Sequence, residues 1–554
     1  MKLDLASPPE TQAAGQASSE SPASTARIKA NFARFEAQVT LSEKALASGR
    51  LEEAMMYASL AAAVATHKHC GVFASWRLER VIHAVSAAIP DRTPSFARAT
   101  SAAGYKRVLH VVSEVSPVGG LTRMISRWMA ADPSRSHSLA MTRFRGFVPQ
   151  HMKDAVASRG GKIHILNTEI GSALGNVGRL RDIARGHDLV ILHIHCEDMV
   201  PLVAFARPDK VPPVLFLNHA DHIFWLGSSV GHVVINLRDA AGDISISRRG
   251  VSPERSTLMP TVVEPVVRRL SKADARTKLG LDPDATIMVS VARTAKYRSV
   301  NGVTFADLHI DLLKKHPEAQ LVVVGSGPMA DWKPAQDAVG GRIVGLPEQP
   351  DPWTYFEAAD ICVDSYPFVS STSLMEAAGY GLPMVTLFIA PDEARIFGIN
   401  HVGLVGTALS ARSMPEYNTI LSRLIADPAY REAVGRAGEK AVVGAHTPPG
   451  WLDWMEAAFQ RSVELPPIAS PSPEPACAPD RPRFGEPDCR HEEIFGADEP
   501  LSNLTKDYMG LLSLGPRLRL WAALRRSGDI RGLSETLRLL LPEWVKSRLR
   551  RMKK

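Results

Sequence analysis

The feature that most constrains this chain is an alternation running through residues 104–460. Short runs apolar on both faces recur at 107–112, 188–195, 214–218, 232–236, 286–293, 320–325, 342–345, 360–365 and 383–387, with helical patterns between them. A strand that is apolar on both faces needs cover on both, and helices linking parallel strands supply it. These runs are too many for a single sheet. A break falls in the Pro-containing stretch 258–267, ahead of a helix expected to start near Ser271. The pattern therefore predicts an α/β chain with two Rossmann-like domains, 104–262 and 263–462, facing a cleft. Ligands of such sheets bind beyond the carboxyl ends of the strands.

The flanks read differently. Residues 1–25 are rich in Ser, Ala, Pro, Glu and Gln, and a disordered tail is expected there. Residues 26–103 are helical, with a tetratricopeptide-like hairpin turned at Gly49-Arg50. No further copy follows at a period near 34, so a helical cap packed on the main body is expected, not an array. Residues 463–510 carry LPPIASPSPEPACAPDRPRF and read as a Pro-rich linker. Residues 511–554 read as a basic amphipathic helical tail, in which Leu and Trp alternate with Arg and Lys.

Charge separates tail from body. Residues 517–554 hold 12 Lys and Arg against 3 Asp and Glu. That local balance of +9, set against +7 for the whole chain, leaves −2 for the rest. The body is not basic, which argues against a nucleic-acid partner. The tail fits either an anionic membrane surface or a helix docked on the body. Cys70, Cys196, Cys362, Cys477 and Cys489 form no CxxC pair, which argues against a disulfide framework or zinc finger and suits a reducing cytosol. The start, MKLDLASPPETQ, has no apolar signal region, and no apolar run approaches a bilayer span. A cytoplasmic protein is expected, peripheral on the inner face of the membrane.

Residues able to carry chemistry cluster at the expected strand ends. The stretch SSTSLMEAAGYGLP follows the 360–365 run. Its helix start offers free N–H groups and partial positive charge, suited to a phosphate, with Ser371, Thr372 and Ser373 as hydroxyl donors. Glu376, one turn in, can accept hydrogen bonds from a ribose diol. The plainer alternative is a capping box, with Glu three positions after a Ser. Arg293 and Lys296 follow the 286–293 run and face the same cleft, where two cations can take up charge on a diphosphate. In the first domain, Glu114 and the turn Gly119-Gly120 follow the first run, and the two glycines permit close backbone approach to a ligand. His219, Asp221 and His222 form a polar cluster after 214–218, in which a histidine can serve as base. His193 and His195 would point the same way along their strand.

These motifs resemble GT-B glycosyltransferases over roughly residues 104–460, and two patterns within that superfamily compete. The retaining group related to sucrose and glycogen synthases has two glutamates eight positions apart at this helix. Glu376 matches the second, and the first would fall on Phe368. The O-linked N-acetylglucosamine transferase group has His-Thr-Thr-x-x-Asp there, similar to Ser371-TSLME, and Gln-x-x-Lys matching the spacing of Arg293-TAK. The resemblance implies that Thr372 and Ser373 hold the diphosphate, Lys296 stabilises it, and Glu376 binds ribose. No cofactor is implied beyond a UDP- or GDP-linked sugar as co-substrate. No Asp-x-Asp motif sits at a plausible donor site, so no metal is expected. The expected function is transfer of a hexosyl or N-acetylhexosaminyl group to a polysaccharide, lipid-linked glycan or protein, with Asp221 and Glu114 on the acceptor side. The alternatives are a non-hydrolysing sugar-nucleotide 2-epimerase and a degenerate GT-B scaffold.

Overall fold

The computed structural model describes residues 22–552 except 92, 117–119, 301, 469–473, 497–500, 527, 529 and 531. Two all-parallel sheets form its centre. The first has the order β3-β2-β1-β4-β5-β6-β7. Its strands are β1 Arg107–Val112, β2 Ser136–Met141, β3 Ile163–Ile165, β4 Leu189–His193, β5 Val214–Asn218, β6 Val233–Asn236 and β7 Ser256–Leu258. The second has the order β10-β9-β8-β11-β12-β13. Its strands are β8 Thr286–Val291, β9 Ala319–Val324, β10 Ile343–Leu346, β11 Ile361–Val363, β12 Met384–Leu387 and β13 Leu409–Ala411. The chain is an α/β protein with two Rossmann-like halves. In each sheet the strand order reverses beside the first strand, between β1 and β4 and between β8 and β11. Crevices open at such reversals, where neighbouring connections run to opposite faces.

Each sheet is clad on both faces. Leu109, Val111, Val190 and Leu192 face one apolar cluster, while Val108, Leu189, Ile191 and Leu215 face another. This two-sided burial is why the strands read as continuous apolar runs. β7 ends where the stretch taken as the interdomain break begins; its residues are Ser, Thr and Leu at a sheet edge.

The expected second domain, 263–462, ends differently from its sequence boundary. Helix Gly450–Glu464 returns to the first domain. Its Trp451, Met455 and Phe459 pack with Tyr105, Trp128 and Val233. Trp451 Nε1 donates to Pro260 O at 2.7 Å, and Arg135 holds Glu456 at 2.7 Å. The apolar stripe of this helix is matched to the first sheet, so chain order and domain membership part company here.

The flanking segments bring two corrections. Residues 1–21 of the expected tail lie outside the described residues, but 22–25 belong to helix Pro22–Ala47. This helix and Leu51–His67 form the expected hairpin, turned at Gly49 with φ of +70°. A third helix, Trp76–Ala88, joins them. The stretch expected to be a Pro-rich linker behaves instead as a strap. Arg483 N bonds Gly71 O at 2.8 Å, and Ser75 Oγ and Arg77 N both donate to Asp480. Asp488, fully buried, is held by both Arg248 nitrogens at 2.8 and 3.0 Å and by His69 Nε2 at 2.7 Å. A buried carboxylate paired this way fixes the strap firmly, because separating it strands a charge in apolar surroundings. The basic tail is folded onto the body, one of the two forms expected of it. Asn167 Nδ2 donates to Ser547 Oγ at 2.8 Å, and Arg548 Nε to Thr168 O at 2.7 Å. Among the described residues no helix is long and apolar enough to cross a membrane.

Candidate functional site

The site is built where the carboxyl ends of the two sheets face each other. β8 ends at Val291, and Arg293 caps a 3-10 turn, Thr294–Lys296. That turn packs closely on the one after β9. Gly325 there has φ of +94°, and a Cβ on it would fall 2.1 Å from Ala292 O. The turn carries Lys296 to the next strand's loop. Lys296 Nζ donates to Val369 O at 2.8 Å and sits 3.5 Å from Ser370 Oγ. It also lies 4.8 Å from the centre of the Phe368 ring. Arg293 is exposed beside it.

β11 runs directly into Asp364. Its Oδ1 accepts from the N–H groups of Ser365 and Ser370, both at 2.8 Å, which folds the loop ahead of helix Ser371–Gly379. Burial pushes the Asp364 carboxyl up, against the two N–H bonds and the Lys296 charge. Burial pushes the Lys296 ammonium down, opposed by Asp364 and reinforced by Arg293 and Arg238. Each group is costly alone in this setting, and each offsets part of the other's desolvation.

The helix start is not capped by a side chain. Ser370 is its N-cap residue, but its Oγ lies 3.2 Å from Ser373 Oγ and bonds no helix N–H. The alternative, a capping box with Glu376, does not form. The positive end of this helix, carrying Ser371, Thr372 and Ser373, therefore keeps its donors available. Glu376 instead reaches across the cleft, where Arg127 Nη2 donates to its Oε1 at 3.0 Å. Arg127 belongs to helix Gly120–Ala131 of the first domain and also lies 3.4 Å from Glu264. Next to this pair is a cavity of about 250 Å³, lined by Arg127, Glu264, Arg269, Trp353, Glu376 and Tyr380.

On the first-domain side, a Cβ on Gly120 would lie 3.9 Å from Thr372 Oγ1, so the two helix starts nearly touch. Gly119 lies outside the described residues. Glu114 is paired with Arg145 at 2.9 Å. His219 Nε2 donates to Ile194 O, 2.9 Å away; since a carbonyl only accepts, Nε2 carries the proton. This bond commits His219 to holding the loop. His222 Nδ1 lies 3.2 Å from Asp221 Oδ1, which leaves its Nε2 without a protein partner among the described residues. Burial disfavours the Asp221 charge, but the bidentate Arg238 at 2.6 and 2.7 Å holds the carboxyl well below its usual range. Burial lowers His222 despite Asp221, so its imidazole is neutral at pH 7. Arg238 also donates to Gly398 O in the second domain, at 3.1 Å. His193 and His195 do not share surroundings. His193 is buried 3.0 Å from His110, while His195 is partly exposed and 3.8 Å from Glu197.

The strap closes one side of this site. Its helix, Asp488–Phe495, brings the Phe495 ring within 5.1 Å of His222 and 4.9 Å of Phe368. Thus Lys296, the uncapped helix start and Glu376 come together from the sequence expectation, with His222 and Asp221 opposite. Asp364, Arg127, Arg238 and the strap helix join them unforeseen. Asp364 had a legible signal, an acid ending a buried strand in DICVDS. Arg127 sits inside an ordinary amphipathic helix and had none.

No family model matches the chain. A curated D-inositol 3-phosphate glycosyltransferase from Thermobifida fusca (strain YX) is 24% identical over 278 residues, 46% of this chain. The chain spans 61% of that relative's length. Among solved structures, Anabaena HepE in complex with UDP and glucose superposes with a TM-score of 0.48 at 15% identity. That superposition covers 65% of this chain and 100% of the other. The Thermobaculum terrenum O-GlcNAc transferase gives 0.47 at 14% identity, covering 79% and 85%. A Neisseria meningitidis UDP-GlcNAc 2-epimerase gives 0.42 at 12%, covering 61% and 97%. By its own two parallel sheets the chain has two Rossmann-like halves, and the curated protein it is similar to is a glycosyltransferase.

Proposed function

We propose that this chain is a nucleotide-sugar-dependent glycosyltransferase. The observation that carries the reading is the convergence of Lys296 with an uncapped helix start at the carboxyl edge of the second sheet. A diphosphate placed there meets backbone N–H groups, the hydroxyls of Thr372 and Ser373, and the Lys296 ammonium, with Arg293 at the rim. Charge grows on the diphosphate as the sugar leaves, so these donors stabilise the transition state more than the bound donor. Glu376 takes the ribose hydroxyls once it exchanges Arg127 for them.

On the acceptor side, Asp221 holds the Nδ1 proton of His222 and leaves the Nε2 lone pair free. A neutral imidazole so oriented can accept the proton of an acceptor hydroxyl as it attacks the sugar. His219 supports the loop, and Glu114 lies farther out with Arg145. The proposed donor is UDP- or GDP-linked and the transfer metal-independent. The acceptor is a polysaccharide, a lipid-linked glycan or a protein, met in the cytoplasm on the inner face of a membrane.

A thermal-shift and hydrolysis screen across UDP- and GDP-sugars tests the reading, paired with Lys296→Ala. Loss of one such donor is expected to lower turnover roughly 10²–10³-fold while the fold is kept. Unchanged turnover, or no stabilisation by any sugar nucleotide, would refute it. Turnover of the sugar nucleotide into an epimer without acceptor would select the epimerase.

A further inference from the structure

The last three helices, Leu514–Arg526, Leu533–Leu540 and Glu543–Met552, are not a free amphipathic tail. They fold around Met509, Leu524, Ile530 and Leu539 as a small core of their own. They are fastened at two places. Arg519 pairs with Glu53, and Ser513 N with Glu52, on the helical cap. Ser547, Arg548 and Arg550 bond Asn167, Thr168 and Phe144 on the first domain.

The outward face is the unusual part. Half of the large apolar side chains exposed among the described residues fall in this stretch: 7 of 14 lie between 514 and 552. Leu533, Leu537 and Met552 are 79%, 65% and 82% exposed. Leu533, Leu537 and Leu541 stand one turn apart, a spacing that lines them up along one edge. Arg538 on the same helix and Arg525 and Arg526 on the helix packed against it are exposed as well. A leucine ridge rimmed by arginines exposes apolar area that solvent disfavours and charge that seeks anions.

We propose that this three-helix platform is a rigid seat for an anionic bilayer surface, with the leucine ridge entering the headgroup layer and the arginines meeting lipid phosphates. Charge complementarity selects a membrane over a second copy of the chain, because two such faces would bring like charges together. The platform is fastened to the first domain, so it fixes that domain's height above the lipid. This part rests on the transferase reading, in which the first domain receives the acceptor, and it makes the acceptor lipid-linked.

Flotation of the full chain with phosphatidylglycerol-containing vesicles, compared with phosphatidylcholine alone, tests the platform. No sugar nucleotide is needed, so the result stands apart from any transfer assay. The wild type is expected to float with anionic vesicles only. Arg525→Glu/Arg526→Glu/Arg538→Glu should cut partitioning by on the order of a hundredfold, at about fivefold per lost cation. Leu533→Asp/Leu537→Asp should cut it at least about tenfold. Unchanged melting temperatures and donor hydrolysis in both variants separate lost binding from lost fold. Wild-type protein that stays with the soluble fraction, variants that float equally well, or concentration-dependent dimers that vanish in the leucine variant would each overturn the proposal.

Discussion

Acid should destabilise this protein steeply, because it buries neutral histidines. His110, His137 and His193 form a chain of imidazoles across β2, β1 and β4, 2.9 and 3.0 Å apart and fully buried. Burial, with neighbouring imidazoles adding to it, depresses His110 well below its usual value. Burial likewise takes His193 down to about 3, and His219, His232 and His309 to about 4. An unfolded histidine titrates near 6.5. The unfolded chain therefore binds protons below that pH while the folded one does not, so stability is complete above about 6.5 and falls as pH drops below it. Each histidine contributes a slope of about 1.36 kcal/mol per pH unit. From pH 7 to pH 5 that is about 2 kcal/mol per group, or on the order of 7 kcal/mol for the four with stated values. Domains are typically stable by only about 5–15 kcal/mol, so the native state should be near collapse at pH 5. Urea midpoints at pH 7.5, 6.5, 5.5 and 5 measure this, and the slope below about pH 6 reports the protons taken up. A slope of one proton or fewer would refute the reasoning.

Four further outcomes follow from the site and its supports. Nucleotide diphosphate binding should weaken as pH rises past about 8, where burial places Lys296; calorimetry showing equal affinity at pH 7 and 9 would count against its role. Arg127→Ala frees Glu376 for ribose, so nucleotide affinity should rise even though a broken buried pair costs about 3 kcal/mol of stability; a fall in affinity would mean that Arg127 itself binds nucleotide. Gly325→Ala forces a side chain into left-handed backbone against Ala292 O and should cost about 2–4 kcal/mol by denaturant unfolding; wild-type stability would contradict the packing. Asp488→Ala strands Arg248 and should cost about 3–5 kcal/mol, exposing 474–496 to limited proteolysis, and an uncut strap would refute its anchoring role.

The two sheets were legible because burial on both faces writes itself into composition, and 107–112 or 320–325 admits few other readings. β2, Ser136–Met141, is as deeply buried but carries two serines and a histidine, so its place is set by neighbours, not by its own residues. The three-residue strands β3, β7 and β13 are too short to show a period. Lys296, Thr372 and Glu376 were legible because a strand end followed by a helix start puts residues at a crevice by geometry alone.

The strap was not legible, and the reason is physical. A Pro-rich segment has the same composition whether it is solvated or pinned, since its own backbone makes few internal bonds either way. What pins it is remote: Asp488 meets His69 across 419 residues of sequence. Such a contact is held by a few buried charges, not by an apolar stripe, and no local pattern announces it. Yet these same charges settle how the site is enclosed. Because Asp488 is buried against Arg248 and His69, helix Asp488–Phe495 cannot drift from the cleft without stranding the Arg248 guanidinium, so Phe495 stays against His222 and Phe368. The His222 side of the cleft therefore has a fixed third wall, and in the proposed transferase reading selectivity for the incoming hydroxyl falls to residues that no strand-end rule could have singled out.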